Sequence, residues 1–349
     1  MSGDRHCLIG MTPEQIAEAL GLKAFQGRQI FHWLHNKGVF DFDAMTNLAK
    51  PLRERLTTEC AARDMRVAAV QASEHADAAK LLFDLRDGEK VESVLLRDGD
   101  RVTLCLSSQA GCPLNCAFCA TGASGFRRNL DAGEIVGQAL LLLSAGQVPR
   151  EVTPNIVLMG MGEPFLNYDA VVAAIRLLMH PEGLGIGARR ITVSTVGIVE
   201  GVARFAEEDW QVRLSISLHA ANDELRTQLV PHNRRGGLAA LRNAVRDYGA
   251  RTGRQVTFEW TLLDGVNDTP KDVRELLAFL KGLNAFVNLI PWNPVDELPF
   301  RPSSKANAAA FLRALEQGGV KATLRKEIGG DIAAACGQLQ ARQTPSSGV

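Results

Sequence analysis

Three cysteines within eight residues carry the strongest chemical signal in the chain: Gly111-Cys112-Pro113-Leu114-Asn115-Cys116-Ala117-Phe118-Cys119. Thiolates ligate both zinc and iron–sulfur centres. A structural zinc site takes four ligands, commonly as two separated CxxC pairs. Here no fourth Cys or His stands nearby. Three thiolates on a cubane leave one iron without a protein ligand, open to a substrate or cofactor. A structural zinc site and an electron-carrying cluster are the plain alternatives, and the second would need a fourth thiolate.

Other residues have reactive types but less telling settings. In Met159-Gly160-Met161-Gly162-Glu163-Pro164, glycines let backbone approach a ligand closely and Glu163 can accept from a cationic amine, though alone the stretch reads equally as a turn. Ser194 and Ser217-Leu218-His219 place hydroxyl and imidazole groups at strand ends, where such groups are usually satisfied locally. Asn293, before Pro294, is equally a turn signal. Cys105 ends a strand upstream of the cluster. Cys336 sits in Ala333-Ala334-Ala335-Cys336-Gly337, a segment of small residues able to move and carry a thiol into a site. The bland reading of any of these cysteines is a buried small hydrophobe, and Cys7 and Cys60 receive it. Seven cysteines, an odd number, behind an N-terminus without a signal peptide argue against a disulfide framework.

The elements that must position these groups fall into three styles. Thr12-Pro13-Glu14-Gln15 predicts a capped helix ended by Gly21, and residues 26–37 a second ended by Gly38. Residues 80–85, 91–96 and 101–106 read as strands joined at Asp87-Gly88 and Asp98-Gly99, a small antiparallel sheet leading into the main domain. Thereafter apolar strands at 155–159, 190–194, 212–216, 256–261 and 286–290 alternate with helices at 132–143, 170–179, 238–248 and 271–280. That alternation implies a parallel sheet sheltered by helices, open or curled into a barrel, with ligand sites at the C-terminal strand ends. The tail at 344–349 is polar and is expected to be disordered.

Bulk properties narrow the class. The formal net charge is zero, so any nucleic-acid contact must come from a local basic face such as Arg127–Arg128, Arg189–Arg190, Arg234–Arg235 or Lys321–Arg325–Lys326. Each of those is otherwise a solvated surface. No apolar run is long enough for a membrane span, and a cytoplasmic protein is expected.

Together these segments resemble the RlmN/Cfr family of radical S-adenosylmethionine (SAM) RNA adenine methyltransferases over almost the whole chain. The likeness rests on the CxxxCxxC spacing, on residues 102–109, 217–223, 264–268 and 335–339, and on Phe42–Asn47 in the helical N-terminal part. The resemblance implies an α/β fold, a radical SAM partial (β/α)6 barrel with a small N-terminal helical accessory domain. The expected divisions are 1–66 as an RNA-binding helical unit, 67–97 as a strand linker, 98–331 as the core and 332–349 as a C-terminal segment. Cys112, Cys116 and Cys119 would hold a 4Fe-4S cluster. Gly162, Glu163, Ser194, Ser217, Leu218, His219 and Asn293 fall on SAM-contacting positions. Cys336 would carry the methyl group, Cys105 would resolve the covalent adduct, and Glu92 falls on a proton-acceptor position, although alone it passes for an exposed strand residue.

In that family a SAM on the open iron is cleaved to a 5′-deoxyadenosyl radical, with two SAM per turnover. Adenine C2 is electron-poor and bears an unactivated C–H, which suits a radical route. The substrates implied are 23S ribosomal RNA near the peptidyl-transferase centre and adenosine 37 of certain tRNAs, with a flavodoxin-like or other one-electron reductant. Methylation at C8, as in the Cfr branch, is the nearest rival; Pro291-Trp292-Asn293-Pro294 and the Phe258-Glu259-Trp260 strand look more like the C2 branch. An RNA-binding protein with a structural metal site is the rival of another class. The chain departs from its relatives at Glu327-Ile328-Gly329-Gly330-Asp331, where they have a more polar approach to the reactive cysteine.

Overall fold

The structure is a computed structural model that describes residues 6–74, 77–295, 298–326 and 328–341. Glu327 and the tail from 344 onward therefore lie outside the described residues. Ten strands form one sheet and lie in it in chain order. They are β1 (Met65–Ala72), β2 (Ala78–Leu85), β3 (Lys90–Asp98), β4 (Arg101–Cys105), β5 (Asn155–Leu158), β6 (Ile191–Thr195), β7 (Arg213–Ser217), β8 (Val256–Leu262), β9 (Ala285–Pro291) and β10 (Ala322–Leu324).

From β4 to β10 every neighbouring pair is parallel. Helices make the return crossings, among them Ala132–Ala145 after β4, Tyr168–Met179 after β5, Gly237–Thr252 after β7, Pro270–Leu280 after β8 and Lys305–Gln317 after β9. Helices cover the outer face, where Phe258 and Trp260 of β8 are fully buried against Phe279 and Phe311, while Thr257, Glu259 and Thr261 alternate onto the inner face. The sheet ends at β1 and β10 without closing, so this is the expected α/β radical SAM-type architecture in its open, partial-barrel form.

The antiparallel strands expected to lead into the main domain do so by joining its sheet. β3 pairs with β4, which pairs on its other side with β5, so β1–β3 extend the barrel wall itself. The glycines read as turn formers account for the tight connections: Gly88 and Gly99 have φ of +88° and +57°. Strand β1, whose Ala, Arg and Gln residues alternate weakly, escaped the sequence reading, as did the alanine-rich helix Lys305–Gln317.

The N-terminal helices Pro13–Ala19, Ala24–Phe31 and Lys50–Glu59 pack on the core's flank. Thr12 and Gln15 form the expected capping box, and the second helix continues as a π-helical turn over His32–Asn36. Docking is close enough to need glycine on both sides: a Cβ on Gly10 would stand 3.0 Å from the Gly133 nitrogen. His35 stacks on Phe31, centroids 4.0 Å apart, and Asn36 Nδ2 donates to the Gly183 carbonyl at 2.9 Å. No helix among the described residues is long and apolar enough to cross a membrane.

Burial pushes the His35 pKa down to about 3, well below its ordinary value. An unfolded histidine titrates near about 6.5, so on acidification the unfolded chain binds the proton first and stability rises with pH across that window. We expect the unfolding temperature to fall as pH is lowered from about 7 to about 5, and His35→Leu to flatten the slope by up to about 1.4 kcal/mol per pH unit. Identical slopes for the two proteins would show that His35 is not the titrating group.

Candidate functional site

The C-terminal ends of β4 to β10 gather at one rim, and the reactive residue types gather there with them. The three-cysteine loop follows β4. Its entry is fixed by Gly111 (φ +77°), where any Cβ would lie 1.9 Å from the Gly125 carbonyl oxygen, and by Cys112 N–H donating to that same oxygen at 3.0 Å. Ala117 N–H donates to Leu229 O at 2.9 Å and Trp292 Nε1 to Phe118 O at 3.0 Å, so neighbouring loops hold the cysteine loop from two sides. Among the described residues no three His, Cys, Asp or Glu side chains group closely enough to chelate one ion. Three thiols on one loop line a single cavity, and three thiolates are the donor set that a 4Fe-4S cubane with one open iron takes. Burial raises the Cys112 pKa to about 12 and pushes Cys116 well up, with the neighbouring thiols adding to the effect, so deprotonation must accompany metal loading.

A cavity opens over this loop. Cys112, Cys116, Cys119, Gly162, Glu163, Ser194, Ser217 and His219 all line it. The loop after β5 enters by close backbone contact, since Gly162 (φ +104°) would put a Cβ 2.7 Å from the Gln109 nitrogen. Glu163 is buried and accepts from the N–H groups of Phe165 and Val196, each at 2.9 Å. Burial nevertheless raises its pKa to about 7, so the site favours a cationic partner for this carboxylate. Ser194 and Ser217 hydroxyls lie 3.4 Å apart. His219 adopts a left-handed backbone (φ +59°), and its Nδ1 accepts from Thr261 N–H at 3.0 Å. Burial, helped by Arg226, lowers its pKa to about 3, leaving a neutral ring whose Nε2–H is a donor. Leu218 is fully buried and absent from the cavity wall, and its backbone bonds Glu259 O and Arg226 Nε.

A second lobe shares Cys119, Met159, Cys336 and Gly337 with the first. Cys105, Asn293 and Arg325 complete its reactive lining. Cys105 ends β4 opposite Val94 of β3, whereas Cys336 comes from the C-terminal segment and is exposed to the cavity. Burial pushes Cys105 up to about 12, a shift that Arg325 opposes, and the same guanidinium lines the lobe into which the exposed Cys336 thiol faces. Two thiols far apart in the sequence thus share one lobe with a guanidinium.

Glu92 is the predicted residue that the structure sets apart. It is not an exposed strand residue, being 3% accessible, and it does not line either lobe. Its carboxylate pairs with Lys80 and accepts from the backbone of Gln340 and Ala341. Ser107 Oγ donates to its carbonyl at 2.6 Å and accepts from Met161 N–H at 2.8 Å, tying β3 to the loop after β5.

Three residues at the site escaped the sequence reading. Arg325 reads as part of a solvated basic cluster, and Glu259 as one letter of a strand. The cavity receives both: Ser215 Oγ donates to Glu259 Oε1 at 2.6 Å, while Oε2 has no hydrogen-bond partner among the described residues. Arg226 is buried behind the cysteine loop and donates to Val196 O, Leu218 O and Asn233 Oδ1. Glu259, a charge flanked by Phe258 and Trp260 within a strand, offered a signal in the sequence; Arg325 beside Lys326 and Arg226 beside Thr227 did not.

The sequence profile of the Radical SAM superfamily matches residues 106–280, and that of the ribosomal RNA large subunit methyltransferase N-terminal domain matches residues 8–62. The chain is 46% identical over 343 residues to the probable dual-specificity RNA methyltransferase RlmN of Symbiobacterium thermophilum, covering 97% of this chain and 92% of that one. With the dual-specificity RNA methyltransferase RlmN of Marinobacter nauticus it shares 45% identity over 344 residues, 96% and 92% of the two chains. A crystal structure of a radical SAM methyltransferase from Sphaerobacter thermophilus matches with a TM-score of 0.94 at 44% identity, covering 97% of this chain and all of that one.

Gly162→Ala forces a side chain into a left-handed position already in contact with Gln109. A cost of about 1–3 kcal/mol is expected, read as a lowered unfolding temperature. A variant as stable as the parent would show that the loop does not approach Gln109 as described.

Proposed function

Because the chain belongs to the RlmN family of radical SAM methyltransferases, we propose that it methylates C2 of an adenine in RNA with the methyl group carried on Cys336. It is a SAM-dependent RNA methyltransferase, and a 4Fe-4S cluster and SAM are its cofactors. The observation that carries the proposal is the second lobe: Cys105 and Cys336 face one cavity continuous with the three-cysteine loop. A plain electron carrier has no use for that pair, and a structural metal site has no use for the cavity.

Cys112, Cys116 and Cys119 would hold the cluster. Glu163 would take the SAM ammonium group, with Gly162, Ser194, Ser217, Leu218, His219 and Asn293 completing the contacts, Leu218 through its backbone. The bound pair supplies one-electron chemistry able to take hydrogen from an unactivated C–H. The protein's own residues do the rest. Cys336 accepts a methyl by displacement as a thiolate, with Arg325 offsetting the charge, and presents it to C2. Once the adduct has lost the C2 proton, with the help of Cys105, and one electron, the Cys105 thiolate attacks the Cys336 sulfur. The S–S bond forms as the S–CH2 bond to the adenine breaks, and the released carbon takes up a proton to become the methyl group. A one-electron donor then reduces the disulfide in two steps. One SAM as methyl donor and one for the hydrogen abstraction make two per turnover. Glu92 serves as proton acceptor only once the Gln340–Ala341 backbone releases its carboxylate.

The N-terminal unit at 1–66 is proposed to grip folded RNA, residues 98–331 to house the chemistry, 332–349 to deliver Cys336, and 67–97 to continue the barrel wall. The target adenine must be displayed or flipped to enter the cavity. Substrates are 23S ribosomal RNA and certain tRNAs, with a flavodoxin-like or other one-electron donor, in the cytoplasm. The relatives' shared RlmN name favours C2 over the C8 branch.

Mass spectrometry of nucleosides after reaction with ribosomal RNA tests the reading: 2-methyladenosine is expected, and 8-methyladenosine would transfer the chain to the rival branch. Cys336→Ala should abolish product; a normal rate would end the scheme. Cys105→Ala should leave enzyme covalently trapped on RNA, whereas free product alone would remove its resolving role.

A further inference from the structure

Lys80 is a buried cation beside the reactive segment, and methyl transfer itself assigns it no task. It stands opposite Val94, and Glu92 stands opposite Leu82, so the two are diagonal neighbours on one face of the antiparallel pair β2–β3. Lys80 Nζ lies 3.3 Å from Glu92 Oε1, with the side chains only 8% and 4% exposed. A charge pair so far from water is costly unless its remaining donors and acceptors are also used. Here a single segment uses them. Gln340 and Ala341 donate their backbone N–H groups to Glu92 Oε2 at 2.9 and 3.2 Å. Lys80 Nζ donates to Ala333 O at 3.3 Å.

Those contacts fall on both sides of Cys336. Between them the chain doubles back through left-handed positions at Ala333 (φ +48°) and Gly337 (φ +85°). The approach is equally tight: a Cβ on Gly329 would meet Ala78 Cβ at 2.8 Å, on the strand that bears Lys80. Thr121 Oγ1 donates to Leu339 O at 2.6 Å and Ala120 N–H to Gly337 O at 2.8 Å, which ties the same loop to the cysteine loop. The apex carrying Cys336 projects into the cavity.

We propose that Lys80 and Glu92 are positioning residues that clamp the 333–341 segment by both limbs and thereby set the reach of the Cys336 thiol. The inference rests on the reading of Cys336 as methyl carrier. It couples two events: a segment that lifts away withdraws the thiol and uncovers the Glu92 carboxylate in the same motion. Presentation of Cys336 and availability of Glu92 as a base therefore alternate.

The test uses cluster-loaded enzyme with SAM alone, scoring S-methylation of Cys336 by peptide mass spectrometry. Reductive SAM cleavage under dithionite and backbone hydrogen exchange of residues 333–341 are measured in parallel. Lys80→Met is expected to slow Cys336 methylation about tenfold or more, the scale of one charge-assisted hydrogen bond. Reductive cleavage should stay near the parent's rate and the Gln340 and Ala341 amides should exchange faster. Lys80→Arg should restore both. Equal slowing of the two reactions would mark Lys80 as merely structural, and parental methylation with unchanged exchange would also overturn the clamp. If Lys80→Met does not fold, Lys80→Met/Glu92→Leu removes both buried charges together, so neither is left unpaired; it should load its cluster and still methylate Cys336 slowly, and a parental rate would refute the proposal. If the parent enzyme itself never methylates Cys336, the carrier reading fails, and the exchange rates alone decide the clamp.

Discussion

Parallel pairing from β4 to β10 is the constraint on which everything else hangs. It forces seven strands to end at one rim, so residues far apart in sequence meet without any loop having to travel. Cys105 closes β4, Glu163 follows β5, Ser194 and Ser217 lie in the ends of β6 and β7, His219 follows β7, Asn293 follows β9 and Arg325 follows β10. The loop after β4 sinks into that rim only because Gly111 and Gly162 allow backbone to touch backbone or side chain at distances no Cβ permits.

The rim is polar in an unusual way. Its carboxylates, thiols and imidazole sit where burial disfavours charge, and Arg226 and Arg325 counterbalance them. In a medium of low effective dielectric an incoming cation or an electron donor perturbs such groups far more than it would in water. Glu259, with one oxygen held by Ser215 and the other without a hydrogen-bond partner among the described residues, is the clearest case of acceptor capacity held in reserve.

Local chemistry was legible from the amino acids. The cysteine spacing, the Gly-Glu-Pro turn, the capping box at Thr12 and the turn glycines at 88 and 99 each depend on neighbours within a few residues. The alternation of apolar strands and helices likewise announced a parallel sheet. What stayed hidden depends on distant partners. Nothing near Glu92 shows that residues almost 250 positions later will cap its carboxylate, and nothing near Arg325 shows that two thiols will face it. Strand β1 also escaped, because it is an edge strand with only Met65 buried and so carries little apolar alternation.

The contact between Gly10 and Gly133 settles how the helical unit meets the barrel, and it does so with no side chain interposed. Gly133 lies in the first turn of the helix Ala132–Ala145, which follows the short antiparallel pairing of Gln109–Gly111 with Phe126–Asn129 on either side of the cysteine loop. On the proposed role of the helical unit, an RNA held there would be measured against the cavity by a fixed ruler. Surface residues there could then diverge and alter which folded RNA is held, while the spot where its target nucleotide lands would stay the same.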